Sequence, residues 1–167
     1  GGVGKTTLAT SRAVSLAKAG KKVLLITIDP AKRLKQLLGL DGQDSGNITP
    51  VSTKTFFENE TESSDLYALL LSPSKTLERI GAAEGLTKDL DNRILKVLTK
   101  PYGGMNEIMA VIEVQFHLTN SDYDTVILDT PPGKHFIDFL QATRKIEQFF
   151  DKSFVEIFKF IWQVIFF

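Results

Sequence analysis

The first seven residues, GGVGKTT, constrain this chain more than any other stretch. Gly1, Gly2, Val3 and Gly4 lead into Lys5, Thr6 and Thr7. Helical periodicity starts at once, with Leu8, Ala9, Ala13, Leu16 and Ala17 at helical spacing. Gly20 stands where a C-terminal cap belongs, so the spacing predicts a helix over 6–19. Loops of the pattern G-x-x-x-x-G-K-[ST], set between a strand and a helix, curl their backbone N–H groups around an anion. Residues with a Cβ would obstruct that curl. The helix start adds its partial positive charge, the lysine neutralises terminal phosphates, and the hydroxyl ligates magnesium. Gly4, Lys5 and Thr6 fit the second half of the pattern. A glycine-rich tail that happens to precede a helix is the competing reading, and the rest of the chain has to decide between them.

Two strand ends bear on that choice. KKVLLITID is a continuous apolar, β-branched run, as expected of a strand covered on both faces; it ends in Asp29, and Pro30 bars its extension. YDTVILDTPPG is a second such run and sets Asp129 just before a Pro-Pro-Gly turn. In open parallel sheets, ligands bind at the carboxyl ends of strands. One aspartate in such a place is at least as often a helix cap or a turn residue. Two of them beside a phosphate loop suit a magnesium–nucleotide site.

Between these runs, AKRLKQLLGL reads as a short amphipathic helix closed by Gly39, and residues 41–65 as a polar surface excursion with little regular structure. DLYALLLSPSKTLERIG reads as a strand to Leu71, a Ser-Pro turn and a helix to Ile80. Residues 84–119 read as mostly helical, broken around KPYGG, and the pattern from Phe136 onward as helical and heavily aromatic. The alternation predicts an α/β fold, a parallel sheet flanked by helices in three layers. No repeat or linker divides the chain, so we expect one domain with a mainly helical insertion around 73–119.

Composition narrows the partners. The 20 basic and 20 acidic side chains cancel, so nothing suggests nucleic acid. With no cysteine, disulfides, zinc–thiolate sites and thiol chemistry are excluded within these 167 residues. The longest apolar stretch, FVEIFKFIWQVIFF, is interrupted by Glu156, Lys159 and Gln163 and is too short for a membrane span. It reads as a helix covered by a partner beyond the end of this chain. Met105, Ile108, Met109, Ile112 and Phe116 form another apolar stripe, which is more often core packing than a client surface, although methionines adapt well to clients.

Four segments, GGVGKTT, TIDPAKRL, GGMNEIMAVIEV and DTPPGKHFIDFL, make the chain resemble the arsenite-pump ATPase (ArsA-like) family. That family also contains the eukaryotic ATPase that targets tail-anchored membrane proteins. The segments span nearly the whole chain, which looks most like the bacterial members. The resemblance implies a P-loop NTPase fold with a deviant loop, G-K-G-G-V-G-K-T-T, in which Gly1 matches the third position. It therefore implies that the chain is the N-terminal part of a single ATPase domain truncated at both ends, without the family's signature lysine. That lysine reaches the phosphates of the opposite subunit, so a homodimer is implied as well.

Position by position, the resemblance makes Gly1, Gly2, Val3, Gly4, Lys5, Thr6 and Thr7 the nucleotide-binding residues, with Lys5 also catalytic and Thr6 a magnesium ligand. It makes Asp29 the switch I carboxylate that orients the attacking water. Asp129 becomes the switch II carboxylate that holds magnesium, through water, with Pro132, Gly133 and His135 in the same switch. Two departures stand out. Lys32 and Arg33 follow DPA where better-known members carry histidine and then serine or asparagine, and Gly133-Lys134 replaces the usual Thr-Gly.

The implied activity is magnesium-dependent ATP hydrolysis that switches a dimer between states. The implied setting is cytoplasmic, with a hydrophobic client or membrane-associated partner. Partitioning and septum-site ATPases share the deviant loop and are the nearest alternative, although DPAKRL and NEIMAVIEV favour the ArsA-like group. A nucleotide-binding module without turnover is a third reading. A nitrogenase-reductase-type protein would need cysteines for its cluster, and metalloid capture by thiolates would need them too.

Overall fold

The structure is a computed structural model that describes residues 3–28, 30, 32–42, 45–52, 65–83 and 105–130. Helix α1 (Val3–Lys18) leads to strand β1 (Val23–Thr27) and helix α2 (Lys32–Leu37). Strands β2 (Ile48–Pro50) and β3 (Leu66–Leu70) come next, then helices α3 (Pro73–Ala83) and α4 (Met105–Asn120), and finally strand β4 (Thr125–Asp129).

The two predicted glycine caps form as expected. Gly20 adopts φ 79° and Gly39 φ 68°, the left-handed region that glycine enters without steric cost. After α1, Gly20 N donates to Ala17 O at 3.0 Å and Lys21 N to Leu16 O at 3.1 Å, the paired bonds of a Schellman ending. The same pair closes α2, from Gly39 N to Gln36 O at 3.1 Å and from Leu40 N to Lys35 O at 2.8 Å.

The sheet runs β2-β3-β1-β4, with β1 parallel to both β3 and β4. Strand β2 is antiparallel to β3 and lies within the stretch expected to lack regular structure. Its exposed, half-buried, exposed pattern carries no apolar run to announce it. Strand β1 is buried at every position, as its continuous apolar run predicts. Strand β4 departs from that expectation: Thr125 to Leu128 are half-buried and only Asp129 is buried. Among the described residues β4 pairs with β1 alone, so its side chains are covered less than those of a central strand.

Side chains alternate across each strand and divide the core in two. Val23 and Leu25 face α1, where they pack with Ala13, Val14 and Ala17 and with Leu38 and Leu40 beyond α2. Leu24 and Ile26 face the other way and meet Leu69, Tyr67, Tyr123 and Val114 of α4. Helices on both faces give the three-layer α/β arrangement that the sequence predicts. In the predicted α4 stripe, Met109 and Ile112 are buried in the core, while Phe116 is half-buried. The side chains of Met105 and Ile108 lie outside the described residues.

A polar network joins α3 to α4. Arg79 bonds the Glu113 carboxylate at 2.5 Å and the Gly46 carbonyl at 2.8 Å. His117 Nε2 lies 3.0 Å from Glu113 Oε1, and its Nδ1 lies 3.0 Å from Ser121 Oγ. A carboxylate only accepts, so Nε2 carries the proton and, in the neutral ring, Nδ1 accepts from the serine. Burial pushes the Glu113 pKa up, but the hydrogen bonds of His117 and Thr76 and the Arg79 charge outweigh it and hold the carboxyl below the ordinary glutamate range.

Candidate phosphate and magnesium site

Helix α1 opens directly on the glycine-rich stretch. Val3 is its first residue, and no acidic side chain lies in its first turn to oppose an incoming anion. A side chain at Gly4 would meet no atom within 4 Å, so the space beside the helix start is open. Lys5 and Thr7 are exposed there, whereas Thr6 is half-buried and turns toward the sheet.

The partner of Thr6 is Asp129. Thr6 Oγ1 lies 3.1 Å from Oδ1 and 2.9 Å from Oδ2, across 123 positions of sequence. Strand geometry accounts for the meeting. Asp129 ends β4, and alternation puts it on the same face as Ile127, which packs against the α1 core. A parallel β4 then ends where α1 begins, so a strand-end carboxylate and a helix-start hydroxyl converge. Asp129 keeps only 6% of its surface exposed.

These oxygens fit magnesium. A hydroxyl and a carboxylate are the hard oxygen donors that magnesium takes, and their hydrogen bond lets Thr6 sit at the ion while Asp129 stands one step behind it. Among the described residues no three His, Cys, Asp or Glu side chains cluster as a self-sufficient metal cage. Magnesium at nucleotide sites needs none, because phosphates and water complete its shell.

The structure thus brings Thr6 to Asp129 and sets Gly4, Lys5 and Thr7 beside them. Gly1, Gly2, Asp29, Pro132, Gly133 and His135 lie outside the described residues, and Val3 is described only as the first residue of α1. One site residue escaped the sequence reading. Thr27, fully buried at the end of β1, is the register partner of Asp129 and donates its hydroxyl to Oδ2 at 3.3 Å. Its signal in the sequence was a polar residue two positions before Asp29 in a run that is otherwise apolar.

The sequence profile of a family described as "Anion-transporting ATPase" matches residues 1–165. ATPase GET3 of Zygosaccharomyces rouxii is 31% identical over 163 residues, covering 91% of this chain and 46% of the relative. ATPase GET3 of Podospora anserina is 32% identical over 154 residues, covering 89% and 42%. The protein of the same name from Kluyveromyces lactis is 31% identical over 163 residues, covering 91% and 45%. This chain therefore spans less than half the length of the curated relatives it matches. With the profile leaving only two residues unmatched, the chain belongs to the anion-transporting ATPase family.

Proposed function

We propose that this chain supplies the phosphate and magnesium half of an ATPase site, and that the protein hydrolyses ATP in a magnesium-dependent reaction. The observation that carries this reading is the contact between Thr6 and Asp129, 2.9–3.1 Å between oxygens from the two motifs that define such sites. Helix α1 directs its N-terminal N–H groups at the open space beside Gly4, and Lys5 adds a positive charge at the same point. When bound, magnesium supplies charge neutralisation across the terminal phosphates. Thr6 would hold it directly and Asp129 through water. Asp29, in this reading, accepts a proton or hydrogen bond from the attacking water and keeps it in line with the terminal phosphate.

The remaining elements of the proposal rest on family membership. The 167 residues are the N-terminal part of a single ATPase domain, and nucleotide state switches a homodimer in the cytoplasm. The client in this reading is a hydrophobic segment or membrane-associated partner; these 167 residues hold no cysteine with which to capture a metalloid as a thiolate complex. Among the described residues no helix is long and apolar enough to cross a membrane. The testing experiment is phosphate release from ATP by the purified full-length protein, with magnesium and with a chelator. Release only with magnesium is expected, and release of equal rate in the chelator overturns the proposal.

A further inference from the structure

Asp129 does not hold its position alone. The Thr6 hydroxyl reaches both of its oxygens, whereas the Thr27 hydroxyl reaches Oδ2 only, at 3.3 Å. That asymmetry separates the two oxygens by role. Oδ2 faces the protein interior and a buried donor, and Oδ1 is the less constrained of the pair.

Thr27 is well placed to act as a fixed point. Its side chain is fully buried, its backbone pairs with Leu70 on one side and Asp129 on the other, and its carbonyl accepts from Leu71 N at 2.9 Å. A β-branched side chain in such a strand has restricted χ1, so the hydroxyl is not free to turn elsewhere. Packing alone does not ask for a threonine. The other four positions of β1 are Val23, Leu24, Leu25 and Ile26, and valine would fill the same volume without leaving a hydroxyl to satisfy.

We infer that Thr27 is a positioning residue for the magnesium site, orienting the Asp129 carboxylate by holding Oδ2 so that Oδ1 faces the metal's water shell. The inference rests on the reading of Asp129 as the magnesium carboxylate. A hydroxyl that ligates metal through its oxygen keeps its O–H, so Thr6 still donates to Asp129 from the metal side while Thr27 holds Oδ2 from the buried side. Groups that orient metal-binding carboxylates typically change metal affinity by 10- to 100-fold when removed. A bond at 3.3 Å is long for a hydroxyl donor, so the lower end of that range is the expectation.

The experiment is calorimetric titration of ATP into the purified protein over a series of magnesium concentrations, and again in chelator, for wild type, Thr27→Val, Thr27→Ser and Asp129→Asn. Thr27→Val should raise the magnesium needed for half-maximal tightening of ATP binding about tenfold, with metal-free affinity unchanged. Thr27→Ser keeps the donor and should stay close to wild type. A wild-type magnesium requirement in Thr27→Val overturns the inference, as does an equal shift in Thr27→Val and Thr27→Ser, which would mark a packing effect. Asp129→Asn separates the two levels. If it shifts the requirement while Thr27→Val does not, only the role of Thr27 fails. If it shifts nothing, Asp129 is not the magnesium carboxylate and both readings fail.

Discussion

Glu113 on α4 is fully buried and is bonded by Arg79 of α3, 34 positions earlier in the chain. Removing the carboxylate charge leaves Arg79, 26% exposed, facing a neutral group in a mostly dry site. Breaking buried pairs typically costs 3–5 kcal/mol, and partial exposure of Arg79 puts Glu113→Gln near the lower end, about 3 kcal/mol. Chemical denaturation at neutral pH checks this.

The same carboxylate makes a pH prediction with a definite sign. Its folded pKa lies below the ordinary glutamate value. A depressed carboxylate contributes stability that is fully present above the unfolded pKa and is lost as pH falls through the folded one. Wild type should therefore lose stability relative to Glu113→Gln as pH falls from neutral through the carboxylate range. A constant difference between the two proteins across that range would contradict the assignment.

Gly46 offers a purely steric test. Its φ is 87°, and a Cβ there would stand 2.5 Å from Lys75 Cβ and 3.0 Å from Ser72 Cβ. Its N–H donates to Leu70 O at 2.7 Å and its carbonyl accepts from Arg79, so the turn cannot shift without disturbing β3 and α3 together. Gly46→Ala should cost about 2 kcal/mol through strained backbone and overpacking. A melting temperature within error of wild type would show that the approach to Lys75 is looser than described.

On the proposed reading, catalysis and binding separate at Asp29. An anion near phosphates contributes little to holding them, but a carboxylate that orients water matters to the transition state. Asp29→Asn should bind ATP as tightly as wild type or more tightly and hydrolyse it ~100-fold more slowly, the scale of general-base loss. Calorimetry and single-turnover hydrolysis on the same variant provide the check. Near-normal hydrolysis would make Asp29 a turn residue.

The legible parts of the sequence were those with local signals. Gly20 and Gly39 announced both helix ends because their neighbours needed a left-handed cap, and VLLIT announced β1 because burial on both faces removes alternation. Strand β2 was hidden, since three residues ending in Pro50 on a sheet edge leave no pattern to read. Helix α4 showed its apolar stripe, but not which side of it is covered. Met109 lies in the core, while Val111 and Leu118, outside the predicted stripe, are each 53% exposed.

At the site, Thr6 and Asp129 could be named from their motifs because each motif is local, although their contact is not. Thr27 could not, because its role depends on strand register, which pairs it with a residue 102 positions away. Glu113 and His117 escaped the sequence reading as well: they pair at i, i+4 on one helix, but Arg79, which makes the pair a buried network, comes from a different helix.

Lys5 tests the central claim most directly, because the phosphate-site reading gives it a role that a glycine-rich helix start does not. The measurement is phosphate release under saturating ATP and magnesium by wild type and Lys5→Ala, with folding of both verified by circular dichroism. The account predicts steady turnover by wild type, none detectable in Lys5→Ala, and markedly weaker nucleotide binding in the variant. Wild-type turnover in a folded Lys5→Ala protein would contradict it.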